Sequence, residues 1–275
     1  MMRRIALTAV LLAGLFACRA HAQNPNCNLT ITSPLNFGTY TGAQIRSTTP
    51  YVVFCPGGSW NIPMGPGTGA GATVNERFLT GPNGAELGYE VYSNSSFSAI
   101  WGNTTANEVA GTGSVNGTVY AQLNSGQSGP PGTYTDTVDT ATTDLVLTVV
   151  ILPACSISAN PLAFGSYSGA VVNATTTLSV TCTNTTPYNV GLSAGSGSGA
   201  TVTSRKMTGP GGASLDYALF SNSTRTTNWG NTSGSWVGGT GNGTAQTLTV
   251  YGQVPANQHP TAGSYTDTII ATVNY

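Results

Sequence analysis

The sequence predicts an all-β protein built from two tandem sandwich domains, and three observations carry that prediction. Only 6% of its 275 residues are charged, while 36 are Gly and 15 are Pro, a composition suited to short strands joined by many tight turns. Apolar residues recur with a period of two between clusters of Gly, Asn and Pro, and no run past the leader has the length and 3.6-residue period of a three-turn helix. Finally, the whole pattern is written twice, in order, at a nearly constant offset.

The elements follow from the two copies read side by side. Cys27 and Cys55 open the first copy, 28 residues apart, and Cys155 and Cys182 open the second, 27 apart. Behind each first cysteine stands a strand phrase, "PLNFGTY" from Pro34 and "PLAFGSY" from Pro161. The strand that ends at the second cysteine is clearest in the second copy, as "TLSVTC". Next come "GATVNERFLTGP" with "GATVTSRKMTGP", and then "LDYALF", whose alternation predicts a half-buried strand. "SNSSFSAIWGNT" pairs with "SNSTRTTNWGNT", "TVYAQL" with "TVYGQV", and "GTYTDT" with "GSYTDT". Most phrases are offset by 127 or 128 residues and the last two by 131, so each copy is a whole domain and not a solenoid repeat. The domains are placed at residues 23–152 and 153–275, with Cys27–Cys55 and Cys155–Cys182 as the simplest disulfide pairing.

Residues 1–22 read as an export signal: Arg3 and Arg4, an apolar stretch from Ile5 to Ala17, and a small-residue cleavage site at Ala20–Ala22. "LFAC", ending at Cys18, resembles a lipoprotein signal, but Phe16 fits it poorly. Removal of Arg3, Arg4 and Arg19 with the leader leaves five basic residues against nine acidic ones, a net charge of −4. So sparse and acidic a balance argues against nucleic-acid binding through basic patches. Four cysteines in an exported chain suggest structural bridges.

Nothing in the sequence assembles into a catalytic or metal centre. His259 is the one histidine beyond the leader, in a loop phrase whose first-copy counterpart is Ser128. Asp136 and Asp267 are repeated, yet "YTDT" supplies a single carboxylate where calcium needs several oxygens; a turn or strand-edge role fits better, even with Asp139 and Asp144 near the first copy. "GTGAGA" and "GSGSGA" lack the Lys-Ser/Thr and the helix that phosphate cradles require. Arg77 and Arg205 coincide between copies, which points to a buried ion pair or backbone contacts. No enzyme, cofactor or metal is expected.

An early cysteine, "FGxY", a second cysteine, an Arg before an apolar residue, "WGN", "VYGQVP" and a closing "GSYTDT" together resemble the spore coat protein U domain family. That family includes subunits of archaic, Csu-type chaperone–usher pili. The resemblance covers nearly all of the chain beyond the leader, once per copy, with "VYGQVPANQ" nearer the pattern than "VYAQLNSGQ".

The resemblance implies immunoglobulin-like sandwiches assembled by donor-strand complementation, the second domain lacking its last strand. The partners it implies are a periplasmic pilus chaperone, an outer-membrane usher and the donor strand of an adjacent subunit, the strand being added at an open sheet edge. On this reading "YTDTIIATVNY" is the last strand of the second domain. Its acceptor edge is Ile269, Ile270, Ala271, Thr272, Val273 and Tyr275. "LVLTVVI", Leu145–Ile151, is the strand that completes the first domain in cis, unless it is an insertion in the strand equivalent to Ile269–Val273. "QNPN" ahead of Cys27 is too short and polar to donate a strand, which places the protein at the distal tip of a pilus as an adhesin for a host or abiotic surface. Adhesive candidates are apolar where the second copy is polar: Phe97 and Ile100 against Arg225 and Asn228, Phe78 against Lys206, and Phe54 against Thr181. Trp101 coincides with Trp229 and is assigned to the core. A coat or matrix protein and a secreted carbohydrate-binding sandwich are the competing readings.

Overall fold

The computed structural model describes residues 27–140 and 142–275. The leader with Cys18 and the Gln23–Asn26 segment lie outside the described residues. Eighteen strands follow one another there, and apart from two single 3₁₀ turns, Pro82–Gly84 and Pro210–Gly212, the described residues hold no helix.

In the first half the strands are β1 (Asn28–Ile31), β2 (Leu35–Thr39), β3 (Ile45–Phe54), β4 (Ser59–Ile62), β5 (Arg77–Thr80), β6 (Glu86–Tyr92), β7 (Val109–Thr112), β8 (Val115–Leu123), β9 (Gly132–Val138) and β10 (Leu145–Ile151). The second half comprises β11 (Cys155–Ala159), β12 (Val172–Cys182), β13 (Pro187–Leu192), β14 (Arg205–Thr208), β15 (Ser214–Phe220), β16 (Val237–Thr240), β17 (Ala245–Val254) and β18 (Ala271–Asn274). The first half forms an eight-stranded sheet in the order β1-β3-β8-β6-β5-β9-β10-β2, with β4 and β7 paired separately. Its counterpart repeats the first part of this order as β11-β12-β17-β15-β14, and β13 and β16 pair as β4 and β7 do.

Alternation explains the strands. Along β3 every second residue from Thr49 turns inward, so Thr49, Tyr51 and Val53 are buried while Pro50, Val52 and Phe54 face out. Each half has its own core, around Trp101 in one and Trp229 in the other, both 1% exposed. The indole nitrogens donate to the carbonyls of Ile62 (2.7 Å) and Val190 (2.8 Å), so neither ring leaves an unsatisfied polar edge in the core. Both expected disulfides, Cys27–Cys55 and Cys155–Cys182, are formed. Cys155 lies directly opposite Cys182 across β11 and β12. With its cysteines 27 positions apart, the second bridge should stabilise its half by about 3–4 kcal/mol through the unfolded chain. Urea unfolding of the Cys155→Ser/Cys182→Ser protein should show that loss for the second half alone.

The halves part company at β10. It runs antiparallel to β9, from Leu145 opposite Val138 to Ile151 opposite Gly132, and parallel to β2, with Leu147 opposite Leu35. Leu145, Leu147, Val149 and Ile151 point inward and are at most 5% exposed. The segment equivalent to Ile269–Val273 does something else. After Ile270 the second half's chain crosses to β13, where Ala271–Asn274 pair antiparallel with Leu192–Asn189. The insertion alternative for Leu145–Ile151 is therefore corrected: these residues occupy a place that no described residue of the second half fills.

The expectation of one continuous strand through "YTDTIIATVNY" is corrected as well. Only Thr266 makes a bridge, to Thr208, before β18 begins. The phrase is a strand in the first half because β10 pairs with its whole length; among the described residues of the second half no strand lies in that neighbouring position. The same holds for Leu162–Ser166, the counterpart of β2, which forms no strand.

Candidate functional site: a groove in the second half

The place that β10 fills in the first half is a groove in the second. One wall is Leu162–Tyr167 and the other is Gly263–Ile269, with Leu178, Leu192, Met207, Tyr217, Leu219 and Val250 at its floor. Two cavities of about 450 and 640 Å³ lie along it and share Leu162, Phe164, Met207 and Tyr265. Side chains that β10 seals in the first half are open here. Leu35 and Tyr134 are 0% exposed and Phe37 5%, whereas their counterparts Leu162, Tyr265 and Phe164 are only half-buried. Of the residues expected at the acceptor edge, Ile269 and Ala271 line the groove. Thr272 and Val273 are held in the β13 pairing, and Ile270 (64%) and Tyr275 (62%) are exposed. The unpaired wall thus begins earlier, at Gly263.

Asp267 anchors that wall. Its carboxylate accepts from Ser196 N (2.7 Å), Ser196 Oγ (2.8 Å), Thr268 N (2.7 Å) and Tyr217 Oη (2.7 Å). Burial pushes its acidity the other way, but these donors outweigh it and hold the carboxyl below the ordinary carboxylate value. Asp136 repeats the arrangement with Thr68 N and Oγ1, Thr137 N and Tyr89 Oη, and is 2% exposed. The turn or strand-edge role expected for these aspartates is corrected for Asp136, which lies on β9 between β5 and β10; Asp267 does lie on an edge segment, and both carboxylates pin a distant loop. Glycine makes the approach possible, since a Cβ on Gly67 (φ 86°) or Gly195 (φ 92°) would stand 2.1 or 2.0 Å from the carboxylate.

The two arginines have the backbone role expected of them. Arg77 donates to the carbonyls of Gly65 (2.8 Å), Val74 (2.9 Å), Met64 (3.1 Å) and Trp101 (2.8 Å). Arg205 makes the same four contacts with Ser193, Val202, Leu192 and Trp229. Only Arg77 has a carboxylate beside it, Glu90 at 3.4 Å, where the second half has Ala218.

Burial pushes the Glu90 carboxyl up to about 7, against the downward pull of Arg77. From an ordinary value of 4.5, the folded state keeps a proton that the unfolded chain has lost. The resulting stabilisation is complete below pH 4.5 and disappears as pH rises through 7. The first half should therefore be more stable at pH 5 than at pH 8 by on the order of 1–3 kcal/mol, and Glu90→Gln should abolish the difference. Urea midpoints of the first half, read by hydrogen exchange at both pH values, check this.

The adhesive candidates scatter. Phe97, at φ 56°, packs edge-on against Tyr92 and Tyr120 with the Arg46 guanidinium 4.3 Å above its ring. Ile100 bridges to Tyr92. Phe78 lies opposite Gly88 on β6. Phe54 stands free at 62% exposure, with Val52 on the same outer face at 36%. The polar residues of the second half have matching partners: Lys206 pairs with Asp216, opposite it on β15, at 2.8 Å, and Arg225 lies over Tyr251. That exchange of partners was readable in the sequence, by comparing cross-strand positions two at a time. His259 is exposed in its loop.

These features define a disulfide-bonded tandem β-sandwich protein, with a groove in the second half where β10 lies in the first. The chain belongs to the Spore Coat Protein U domain family, whose model matches residues 13–141 and again 140–272. The second match begins ahead of β10, although the pairing of β10 is with the first half. Protein U of Myxococcus xanthus is 36% identical over 153 residues, half of this chain and 86% of that protein. Among solved structures, the fold is similar to that in the CsuC–CsuE chaperone–tip adhesion subunit pre-assembly complex from the archaic chaperone–usher Csu pili of Acinetobacter baumannii. That likeness has a TM-score of 0.55 at 17% identity, over 90% of this chain and all of that one.

Proposed function

We propose that this protein is a non-catalytic, exported subunit at the tip of a chaperone–usher pilus. Its second domain accepts a β-strand in trans, and its first domain attaches the fibre to a host or abiotic surface, promoting biofilm formation. The observation that carries the reading is the groove of the second half, whose place in the first half is filled by β10. An apolar groove between two unpaired chain segments invites strand addition, with main-chain hydrogen bonds to both walls and alternate side chains in the cavities. Left open it is an aggregation hazard, which a periplasmic chaperone would cover until the usher exchanges it for the adjacent subunit's strand. The likeness to the Csu tip subunit, solved with its chaperone, supports this reading, and two disulfides suit a route through an oxidising periplasm.

The attaching surface we assign to the outer face of the β1-β3-β8-β6 sheet. Phe54 and Val52 stand at one end of this face. Phe97, at the other, packs on Tyr92 and Tyr120, with Ile100 bridged to Tyr92. Phe78 is a lesser contributor. Exposed apolar groups on a sheet face mark contact sites.

Expression with and without a periplasmic chaperone encoded beside the gene tests the first part. The expected result is a 1:1 complex with the chaperone, and polymers or degradation without it; a stable lone monomer overturns strand acceptance. Phe54→Ser and Phe97→Ser/Ile100→Ser test the second, with attachment of piliated cells as the readout. Unchanged attachment with normal assembly removes those residues from the site. A second reading, a coat or matrix protein without a pilus, is favoured by the similarity to Protein U. It would be supported by a location in the spore or cell envelope in cells that make no fibre.

A further inference from the structure

We infer that Thr183 is a clamp that fixes the direction of the first half relative to the second. It binds the short linker between them to the second half and leaves, as the joint, the single peptide unit between Ile151 and Leu152. Such a clamp would act whether or not the second half accepts a strand.

The linker is Leu152, Pro153 and Ala154, between the end of β10 and Cys155. Two of these are stiff by covalent structure. The ring of Pro153 locks its own φ, and Leu152, as the residue before a proline, is kept in extended conformations. Ala154 has ordinary freedom, and Thr183 takes hold of it at both backbone polar groups. Ala154 N donates to Thr183 Oγ1 (3.0 Å), and Thr183 N donates to Ala154 O (2.9 Å). With Ala154 O so occupied, the Thr183 hydroxyl, 3.2 Å from it and 3.3 Å from Leu152 O, can give its proton to Leu152 O. Both ends of the linker are thus bound to the second half. On the other side, Ile151 stands opposite Gly132 on β9 and Tyr40 N donates to Val150 O (2.8 Å), so the first half holds the chain as far as Ile151.

The direction of the first half is set at this linker. Between the described residues 27–151 and 155–275 there is no direct hydrogen bond or ion pair. A cleft of about 790 Å³ separates them, with residues 39–42 and 126–129 on one side and 181–184 with Gly243 on the other. The duplication points the same way. Cys55 is followed by Pro56, which has neither an N–H nor a hydroxyl and could make none of these bonds, whereas Cys182 is followed by Thr183. The clamp residue stands in the copy to which the linker leads.

Thr48 and Thr175 are exposed on β3 and β12, opposite Tyr120 and Tyr251 in matching registers. Replaced by a ketone-bearing amino acid and spin-labelled, they report the distance between the halves without adding a cysteine. The full chain, co-purified with a pilus chaperone where it does not stay monomeric alone, should give one narrow distance distribution. Thr183→Val, which keeps the shape and loses the hydroxyl, should widen it about twofold as the linker regains the flexibility of a short unstructured chain. Thr183→Ser should keep the native width. Pro153→Gly should leave the width unchanged while Thr183 is present, and should add to the widening in Thr183→Val. Hydrogen-exchange protection of β3, β8, β12 and β17 should be native throughout, which separates a change of orientation from a loss of folding. A native distribution as wide as that of Thr183→Val, or a widening by Pro153→Gly alone, overturns the clamp. If Thr183→Val does not fold, the native width and the Pro153→Gly comparison still decide.

Discussion

Leu147→Asp should unfold the first half and leave the second folded. Leu147 is fully buried, opposite Asp136 on β9 and Leu35 on β2. The substitution removes an inward leucine from a close-packed core and puts a second carboxylate across from the Asp136 hub. Cavity formation alone costs about 2–5 kcal/mol, and the buried, unpaired charge adds several more. The sum approaches the roughly 5–15 kcal/mol that holds a whole domain. Val146→Asp is the control: that side chain is 37% exposed on the outer face of the same strand, and the change should stay within about 1 kcal/mol. Hydrogen exchange read by mass spectrometry separates the halves. Loss of protection throughout β3 and β8 with β12 and β17 unaffected is the expected pattern. A first half that stays protected would mean that β10 is dispensable, and the idea that it completes a sandwich would go with it.

Arg77→Ala should be nearly as damaging. The guanidinium is fully buried and serves four backbone carbonyls together with Glu90. Truncation leaves those carbonyls without a donor at about 1–3 kcal/mol for each one that water cannot reach, and a carboxyl without its counter-charge. A total of at least about 4 kcal/mol follows even if water reaches some of the carbonyls. Arg205→Ala should cost its own half less, because the second half has no equivalent of Glu90 to leave unpaired. Comparing the two urea midpoints shifts isolates the contribution of that buried pair.

The duplication made most of the fold legible. Two copies in register located the disulfides, the core tryptophans and the arginines, since a residue kept in both copies serves what the copies share. The apolar phrase of β10, which follows the first "YTDT" and not the second, stood out for the same reason. The sequence hid what depends on distant partners. Asp136 reads as a strand-edge residue until Thr68 and Tyr89 are seen to donate to it, and nothing local in "YTDT" foretells a loop 68 residues earlier. The second "YTDT" misled in the opposite sense. Identical residues form a strand in one half and an unpaired wall in the other, because strand pairing needs a neighbour that local sequence cannot supply. Phe97 and Phe78 looked like surface features because their counterparts are charged; their half-burial follows from Tyr120 and Gly88, residues on other strands.

The join between the halves has a mechanical consequence. Ile151, the end of β10, is separated from Cys155 by three residues, Leu152, Pro153 and Ala154, and Cys155 is bonded to Cys182. Tension between the halves therefore enters β10 at its end and along its axis. Because β9 and β2 grip it on both sides, the load falls on all its backbone pairs together, in shear, and cannot peel them off one at a time. The covalent bridge at Cys155 stops the pull from unravelling β11 in its turn. The strand that seals the first half is thus also the member through which force would pass.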